Sequence, residues 1–308
     1  MKRLVLLILT ITCIQAHATK IVGLVPVRNE ELLIEQCLRG LACYTDAIVV
    51  LDDASEDRTL EIVKSLVDEC AIETIIHKET WNRAESDDRN RLLEEGRKIG
   101  GTHFVVLDAD ELFTATCMHN NILRRRILEL QPGDSLFMHW ICLWKRIDIF
   151  RSSNAELKRF IFCDNGIASY PPRYIHSYRV PDNLNETTHD FGNYYTYGVL
   201  HFQAVNWRNM RIRQAWYQCL ERITRPYVDP KKIVRFYDKP ISEQEQYFSA
   251  SPSEWFAYDF FNPAVYYQAD TWREQQIESW VQAYGIDFFK DLSIWDIDWK
   301  FETPERSI

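Results

Sequence analysis

His103-Phe104-Val105-Val106-Leu107-Asp108-Ala109-Asp110-Glu111 is the stretch on which the reading of the chain turns. Phe104 to Leu107 is a short apolar run of β-branched and aromatic side chains, the pattern of a strand covered on both faces in a parallel sheet. It runs straight into three carboxylates. Ligands of open α/β sheets bind beyond the carboxyl ends of the strands, so Asp108, Asp110 and Glu111 stand where a ligand should sit. Side chains alternate along an extended chain, which predicts that Asp108 and Asp110 point the same way. Two converging hard oxygen ligands suit Mg²⁺ or Mn²⁺, and such an ion would hold phosphate oxygens. Asp-x-Asp alone also describes a solvated acidic turn, so its surroundings carry the weight.

Upstream, the same sentence is written three more times. Lys20 to Val27 is an apolar, β-branched strand. It is followed by Arg28-Asn29-Glu30-Glu31, where Asn29 reads as a helix N-cap and the two glutamates favour the positive end of the helix dipole. Leu33, Cys37, Leu38 and Leu41 then recur at helical spacing. Ala47 to Leu51 is a second strand, running into Asp52-Asp53-Ala54-Ser55-Glu56-Asp57. Ser55 reads as the cap of a helix carrying Leu60, Val63, Leu66 and Val67. Thr74 to Ile76 is a third strand. Ser86 reads as the cap of a helix ended by Gly100-Gly101. This β-α-β-α-β-α-β alternation predicts an α/β fold with a mainly parallel sheet and helices on both faces. No Gly-x-Gly-x-x-Gly follows the first strand and no Walker A sequence occurs, which argues against a dinucleotide or P-loop site.

Downstream the pattern loosens. A helix is expected over Asn121 to Leu130, strands over Ser135 to Leu143, Arg159 to Cys163 and Tyr197 to Phe202, and a helix over Trp207 to Ile223. Residues 170–185 read as loop. The last third is aromatic and helical, without repeats or a clear linker, and reads as an extension (226–308) packed on a domain of residues 19–225.

A length of 308 residues allows one large domain or one with an appendage. The net charge of −9, with no basic stripe, argues against nucleic acid as a partner. Residues 1–18 have a positive start (Lys2, Arg3), an apolar run from Leu4 to Ile14 and an Ala16-His17-Ala18 cleavage pattern, which is the form of a signal peptide for export. Left uncleaved, the segment would hold the chain peripherally at a membrane, its cytoplasmic face included. Seven scattered cysteines remain beyond it, without Cys-x-x-Cys, and read as buried thiols.

With these residues in view, the chain resembles the family 2 glycosyltransferases. Val25-Pro26-Val27-Arg28-Asn29-Glu30-Glu31 resembles their first-strand signature, apolar-Pro-x-x-Asn-Glu. Residues Val50 to Thr59 are similar to their Asp-Asp-x-Ser-x-Asp-x-Thr segment, and Leu107 to Glu111 to their Asp-x-Asp. The resemblance is strongest over residues 21–113. It implies a GT-A fold with a nucleotide half to about residue 115 and an acceptor half after it. It also implies inverting, metal-assisted transfer of a sugar, of the hexosyltransferase type, from a nucleotide-diphosphate sugar donor to a hydroxyl of a glycan, lipid or protein acceptor. With export, a cell-envelope glycan is the natural product.

Roles follow from chemistry. Pro26, Val27, Arg28, Asn29 and Glu30 are expected to line the base pocket, and Asp52 or Asp53 to accept from a base N–H or a ribose hydroxyl. Asp108 and Asp110 are expected to bind the Mn²⁺ or Mg²⁺, with His201 as a third ligand or merely a structural histidine. Arg89 reaches a phosphate or pairs with its neighbours, and neighbour pairing is the simpler reading. Inversion needs a base for the acceptor proton. The family's usual Glu-Asp pair is not evident, which leaves Asp164, His176 and Asp190 as candidates. The alternative is a catalytically silent nucleotide-sugar or carbohydrate-binding protein on the same fold. A nucleotidyltransferase is set aside because the first turn has no glycine to cradle a triphosphate.

Overall fold

The protein is described from a computed structural model covering residues 19–82, 84–153, 156–173, 176–182, 184, 188–192, 196–299 and 301. The expected signal segment, residues 1–18, lies outside them. Strand β1 (Ile21–Val27) is central, with β2 (Ala47–Asp52) on one side and β4 (His103–Val106) on the other, both parallel to it. Strand β3 (Ile72–His77) continues the sheet beyond β2, again parallel. Helices α1 (Ile34–Ala42), α2 (Thr59–Ser65) and α3 (Glu85–Lys98) make the crossovers. The period-two alternation of the strands sorts these helices to opposite faces. Ile21, Val25, Ile48 and Val50 pack with Ile34, Leu38, Leu41 and Val63 of α1 and α2. Val22, Leu24, Val49 and Leu51 pack with Leu92 and Leu93 of α3. Each such buried aliphatic side chain contributes about 1.5–3 kcal/mol of burial free energy.

Beyond β4 the chain reverses into β5 (Glu111–Phe113), and α4 (Ile122–Leu128) leads to β6 (Ser135–Trp144). After β7 (Ile149–Arg151) comes β8 (Glu156–Cys163), which lies antiparallel between β4 and β6. Strands β9 (Thr188–Asp190) and β10 (Gly198–Ala204) run parallel to β6 on its other side, and β10 also pairs antiparallel with β5. The sheet therefore has a parallel half, which carries the helical crossovers, and a mixed half.

Helix α5 (Trp207–Thr224) follows β10 and packs against α6 (Pro230–Asp238) and, near the C-terminus, α7 (Trp272–Tyr284) and α8 (Ile286–Phe289). The extension is not purely helical. Its β11 (Phe248–Ala250) pairs with β7 at the sheet edge. Trp255 is fully buried with its ring 5.2 Å from that of Phe150, and Tyr258 donates to the carbonyl of Phe113 at 2.9 Å. Residues beyond 225 thus complete the core over β5, β6 and β10.

Three helix starts differ from expectation. Helix α1 begins at Ile34, well past Asn29, which adopts a left-handed conformation (φ 49°). Helix α2 is preceded by Arg58 rather than Ser55, and α3 by Ala84 rather than Ser86. The three polar side chains are drawn into tertiary hydrogen bonds instead. Among the seven cysteines beyond the N-terminal segment, six are buried free thiols and Cys43 is exposed. Among the described residues no helix is long and apolar enough to cross a membrane.

Candidate active site

The turns after β1 and β2 are knitted into one body. Arg28 donates through Nη1 to the carbonyls of Asp53 (2.7 Å) and Ala54 (2.8 Å). The amides of Asn29, Glu30 and Glu31 donate to Ser55 Oγ, Thr59 Oγ1 and Asp57 Oδ2 at 2.8–3.1 Å. The Glu56 amide donates in return to Asn29 Oδ1 at 2.7 Å. The polar residues of the two sequence motifs therefore serve each other: Ser55, Asp57 and Thr59 satisfy backbone N–H groups that the tight turn leaves without helix partners. Asp53 is left at the edge, ion-paired with Lys78 at 2.6 Å, while Lys78 also meets Asp88 at 2.8 Å.

Asp52 does not share this position. It is fully buried as the last residue of β2, and its carboxylate meets His77 Nδ1 at 2.8 Å and the Ser55 amide at 3.3 Å. Of the adjacent aspartates, Asp53 is the one left at the edge. Val27 likewise packs into the core and offers only backbone, its carbonyl accepting from the Asp53 amide at 2.8 Å. Pro26 stays within β1, in register with Leu51.

The Asp-x-Asp stretch is a turn rather than an extended strand end. The Glu111 amide donates back to the Asp108 carbonyl at 3.0 Å as the chain reverses into β5. The two aspartates engage different partners rather than a common one. Asp108 accepts from Arg89 (3.0 Å) and Arg179 (2.7 Å), one guanidinium on each oxygen. Glu111, buried beneath, also pairs with Arg179 and accepts from Trp140 Nε1 at 2.7 Å. Asp110 accepts from Arg213 at 2.7 Å and faces His201 Nε2 at 3.5 Å. Arg213 continues to Glu30 at 3.4 Å, and Glu30 to Arg273 at 3.2 Å. A chain of alternating charge thus runs from the end of β4 to the turn after β1.

These partners set the ionisation. Burial alone would raise the Asp110 pKa, but His201 and Arg213 outweigh it and hold the carboxyl far below its usual range. Burial opposes charge on His201, yet Asp110 raises its pKa to about 9. Glu30 is pushed up by burial, aided by Asp110 and Asp270, against the pull of Arg213 and Arg273.

The donor set admits a divalent ion in part. Asp108 does not fit, since guanidinium groups hold both its oxygens. Among the described residues no three His, Cys, Asp or Glu side chains converge. Asp110 and His201 do come together, and Mg²⁺-type ions are often held by one or two protein groups plus substrate phosphates. His201 would have to lose its proton to ligate.

The base candidates scatter. Asp164 is locked in a bidentate pair with Arg97 (2.7 Å on each oxygen) at the start of β4, the opposite end of the sheet. Asp190 lies exposed on β9, separated from β4 by β8 and β6. His176 is exposed, its ring 5.5 Å from that of Tyr217, and Tyr217 in turn feels the charges of Arg213 and Asp110. It alone of the three borders the cluster. Arg89 pairs with Asp108 and, at 3.6 Å, with Glu85, rather than with Asp87 or Asp88.

Sequence reasoning missed Lys78, Arg179, Arg213 and Arg273. Arg213 carried a usable signal, being a lone cation between the buried Ile212 and Ala215 of an amphipathic helix. Arg179 and Arg273 sit in a loop and a distant helix, and only the fold brings them to the carboxylates.

The fold is α/β, with acidic and basic groups gathered at the carboxyl ends of its parallel strands, the edge at which open α/β sheets bind ligands. The family model that matches is Glycosyl transferase family 2, over residues 24–122, about a third of the chain; the resemblance read from the motifs holds over that span. Similar solved structures include residues 1–349 of S. aureus TarS, also solved with UDP (14% identity, 89% of this chain, 83% of that one, TM-score 0.38). Another is the mannosyltransferase PcManGT of Pyrobaculum calidifontis in complex with GDP-Man and Mn²⁺ (17% identity, 72% of this chain, 70% of that one, TM-score 0.42). None of the curated proteins compared with the chain matches it.

Proposed function

We propose that the protein is a glycosyltransferase that takes a sugar from a nucleotide-diphosphate donor and passes it, with inversion, to an acceptor hydroxyl. The observation that carries the reading is the charge chain at one sheet edge, where Arg213 joins Asp110 beyond β4 to Glu30 beyond β1. The family match over residues 24–122, which include Glu30 and Asp110, supports it.

In this reading Asp53 accepts from the base or ribose, with Arg28 positioning the turn that carries it. Arg213 and Arg273 supply positive charge for the diphosphate, as guanidinium groups do well for phosphate oxygens. Asp110 and His201 would hold a divalent ion. That ion, when bound, neutralises charge on the departing diphosphate as a Lewis acid. Asp108 and Glu111 act indirectly, fixing Arg89 and Arg179 around the turn. His176, at the rim, is the remaining proton acceptor of the three considered.

The test is release of nucleoside diphosphate from a panel of nucleotide sugars with Mn²⁺, by the protein and by Asp110→Ala. Loss of several kcal/mol of charge stabilisation predicts a fall of at least about 100-fold in the variant. Equal turnover by both proteins contradicts the role of Asp110. Nucleotide binding without turnover by either favours the silent binding protein.

A further inference from the structure

Helix α6 divides its circumference in two. Ile233 and Tyr237 are buried in the cluster shared with α5, and Val234 packs beside them. The opposite arc of the helix holds Lys231, Lys232, Arg235 and Phe236, all exposed. Lys239, still helical at φ −55° and ψ −44°, continues that arc. In the sequence these cations alternate with apolar residues, so the basic face exists only once the helix winds.

Two observations set this face apart. Several exposed cations elsewhere meet a carboxylate: Arg39 meets Glu35 at 2.9 Å, Lys98 meets Glu95 at 2.7 Å and Lys145 meets Glu243 at 2.8 Å. Among the described residues none of Lys231, Lys232, Arg235 and Lys239 makes an ion pair. The two carboxylates of this segment are engaged otherwise. Asp229 caps the helix through the Lys231 amide at 3.0 Å, and Asp238 accepts from Ser293 Oγ at 2.6 Å. Four unpaired cations thus share one face of a chain whose net charge is −9. The second observation is aromatic. Phe236 stands among the cations 60% exposed, and Tyr227, in the turn that enters α6, is 83% exposed.

That combination fits the surface of an anionic bilayer. Each Lys or Arg held near anionic headgroups raises partition by about fivefold. Aromatic side chains settle at the boundary between headgroups and acyl chains, where the ring leaves water. A nucleic-acid backbone would attract the cations equally but offers Phe236 no apolar phase. The face also reaches the rim of the candidate active site: the Phe236 ring lies 5.9 Å from that of His176, which lies 5.5 Å from that of Tyr217.

We propose that α6 seats the protein on an anionic lipid surface, with Lys231, Lys232, Arg235 and Lys239 against headgroup phosphates and Phe236 and Tyr227 in the interface. Seated this way, the rim at His176 lies beside the bilayer, and the acceptor is one presented at a membrane. That consequence for the acceptor rests on the transferase reading; the docking does not.

Flotation of the whole chain with lipid vesicles tests it. The probes are vesicles of phosphatidylcholine alone and vesicles with about 30% phosphatidylglycerol, in about 0.1 M salt. The neutral vesicles set the baseline for any contribution of residues 1–18. The expected result is binding to the anionic vesicles at least about 50-fold tighter, with the gap closing in about 1 M salt, where charges are screened within about 3 Å. Combined Lys231→Gln, Lys232→Gln and Arg235→Gln should weaken anionic binding at least about 20-fold. Lys64→Gln, Arg91→Gln and Lys98→Gln together, an equal loss of exposed charge on α2 and α3, should change it less than about threefold. Phe236→Ser should weaken it at least about threefold. Equal binding to both kinds of vesicle, an equal loss in the two triple variants, or binding to duplex DNA without binding to vesicles overturns the proposal. Calorimetry with UDP and GDP on the same preparation reads the donor site separately. Vesicle binding without nucleotide binding supports the docking and sinks the transferase reading; nucleotide binding without vesicle binding sinks the docking alone.

Discussion

Asp110 faces two cations at once, Arg213 at 2.7 Å and His201 at 3.5 Å, and has almost no exposure to water. Buried ion pairs of this kind add little net stability over an apolar replacement, but breaking one strands a charge, at a cost of about 3–5 kcal/mol. Arg213→Ala should therefore lose roughly that much in a urea titration. A loss under about 1 kcal/mol would show that water reaches the site and screens it, as at an exposed pair. At this scale the sequence was legible at the turns that follow β2 and β4. Asp53 and Asp110 could be placed at the sheet edge from local pattern alone, whereas His201 lies within β10 and reaches Asp110 from there. Asp164 also follows a strand, but β8 runs antiparallel, so its end lies at the wrong edge of the sheet. Strand direction is set by long-range pairing, and a local pattern does not contain it.

The crossover elements show the same division. The strands and helices of the parallel half follow from apolar period and length. Their caps do not, because Asn29, Ser55 and Ser86 had two uses open to them. Ser86 Oγ meets Ser177 Oγ at 3.2 Å, and Asn29 and Ser55 bind the neighbouring turn. Tertiary partners outcompeted the local cap. Strand β4 offers a pH test away from the candidate active site. His103, at its start, is buried with Nε2 3.3 Å from the Leu130 carbonyl, and burial lowers its pKa below the usual 6.5. The unfolded chain then binds the proton more readily. The stability this histidine contributes is present above pH 6.5 and lost as pH falls through the lower folded value. Urea midpoints at about pH 7.5 and about pH 5 should differ more for the native protein than for His103→Gln. Equal differences would mean that His103 stays accessible to protons in the fold.

Across the whole molecule, the C-terminal third is part of the core. Trp255, Tyr258 and Tyr266 cover β5, β6 and β10, and Arg273 reaches Glu30 across most of the chain length. Trp255→Ala should cost about 3–5 kcal/mol in a single cooperative transition. A separate early transition would instead mark the extension as an independent unit. The sequence disclosed the aromatic richness of this region without its destination, since aromatic residues carry no register and partner choice depends on a sheet built far upstream. The central claim is that strand ends at one edge grip a nucleoside diphosphate. Calorimetric titration with UDP and GDP in Mn²⁺, for the native protein and for Asp53→Asn, tests it most directly. The account predicts binding of one nucleotide by the native protein and at least about tenfold weaker binding by the variant, the loss of one charged hydrogen bond. Equal affinity in both proteins, or binding of neither nucleotide by the native one, would contradict it.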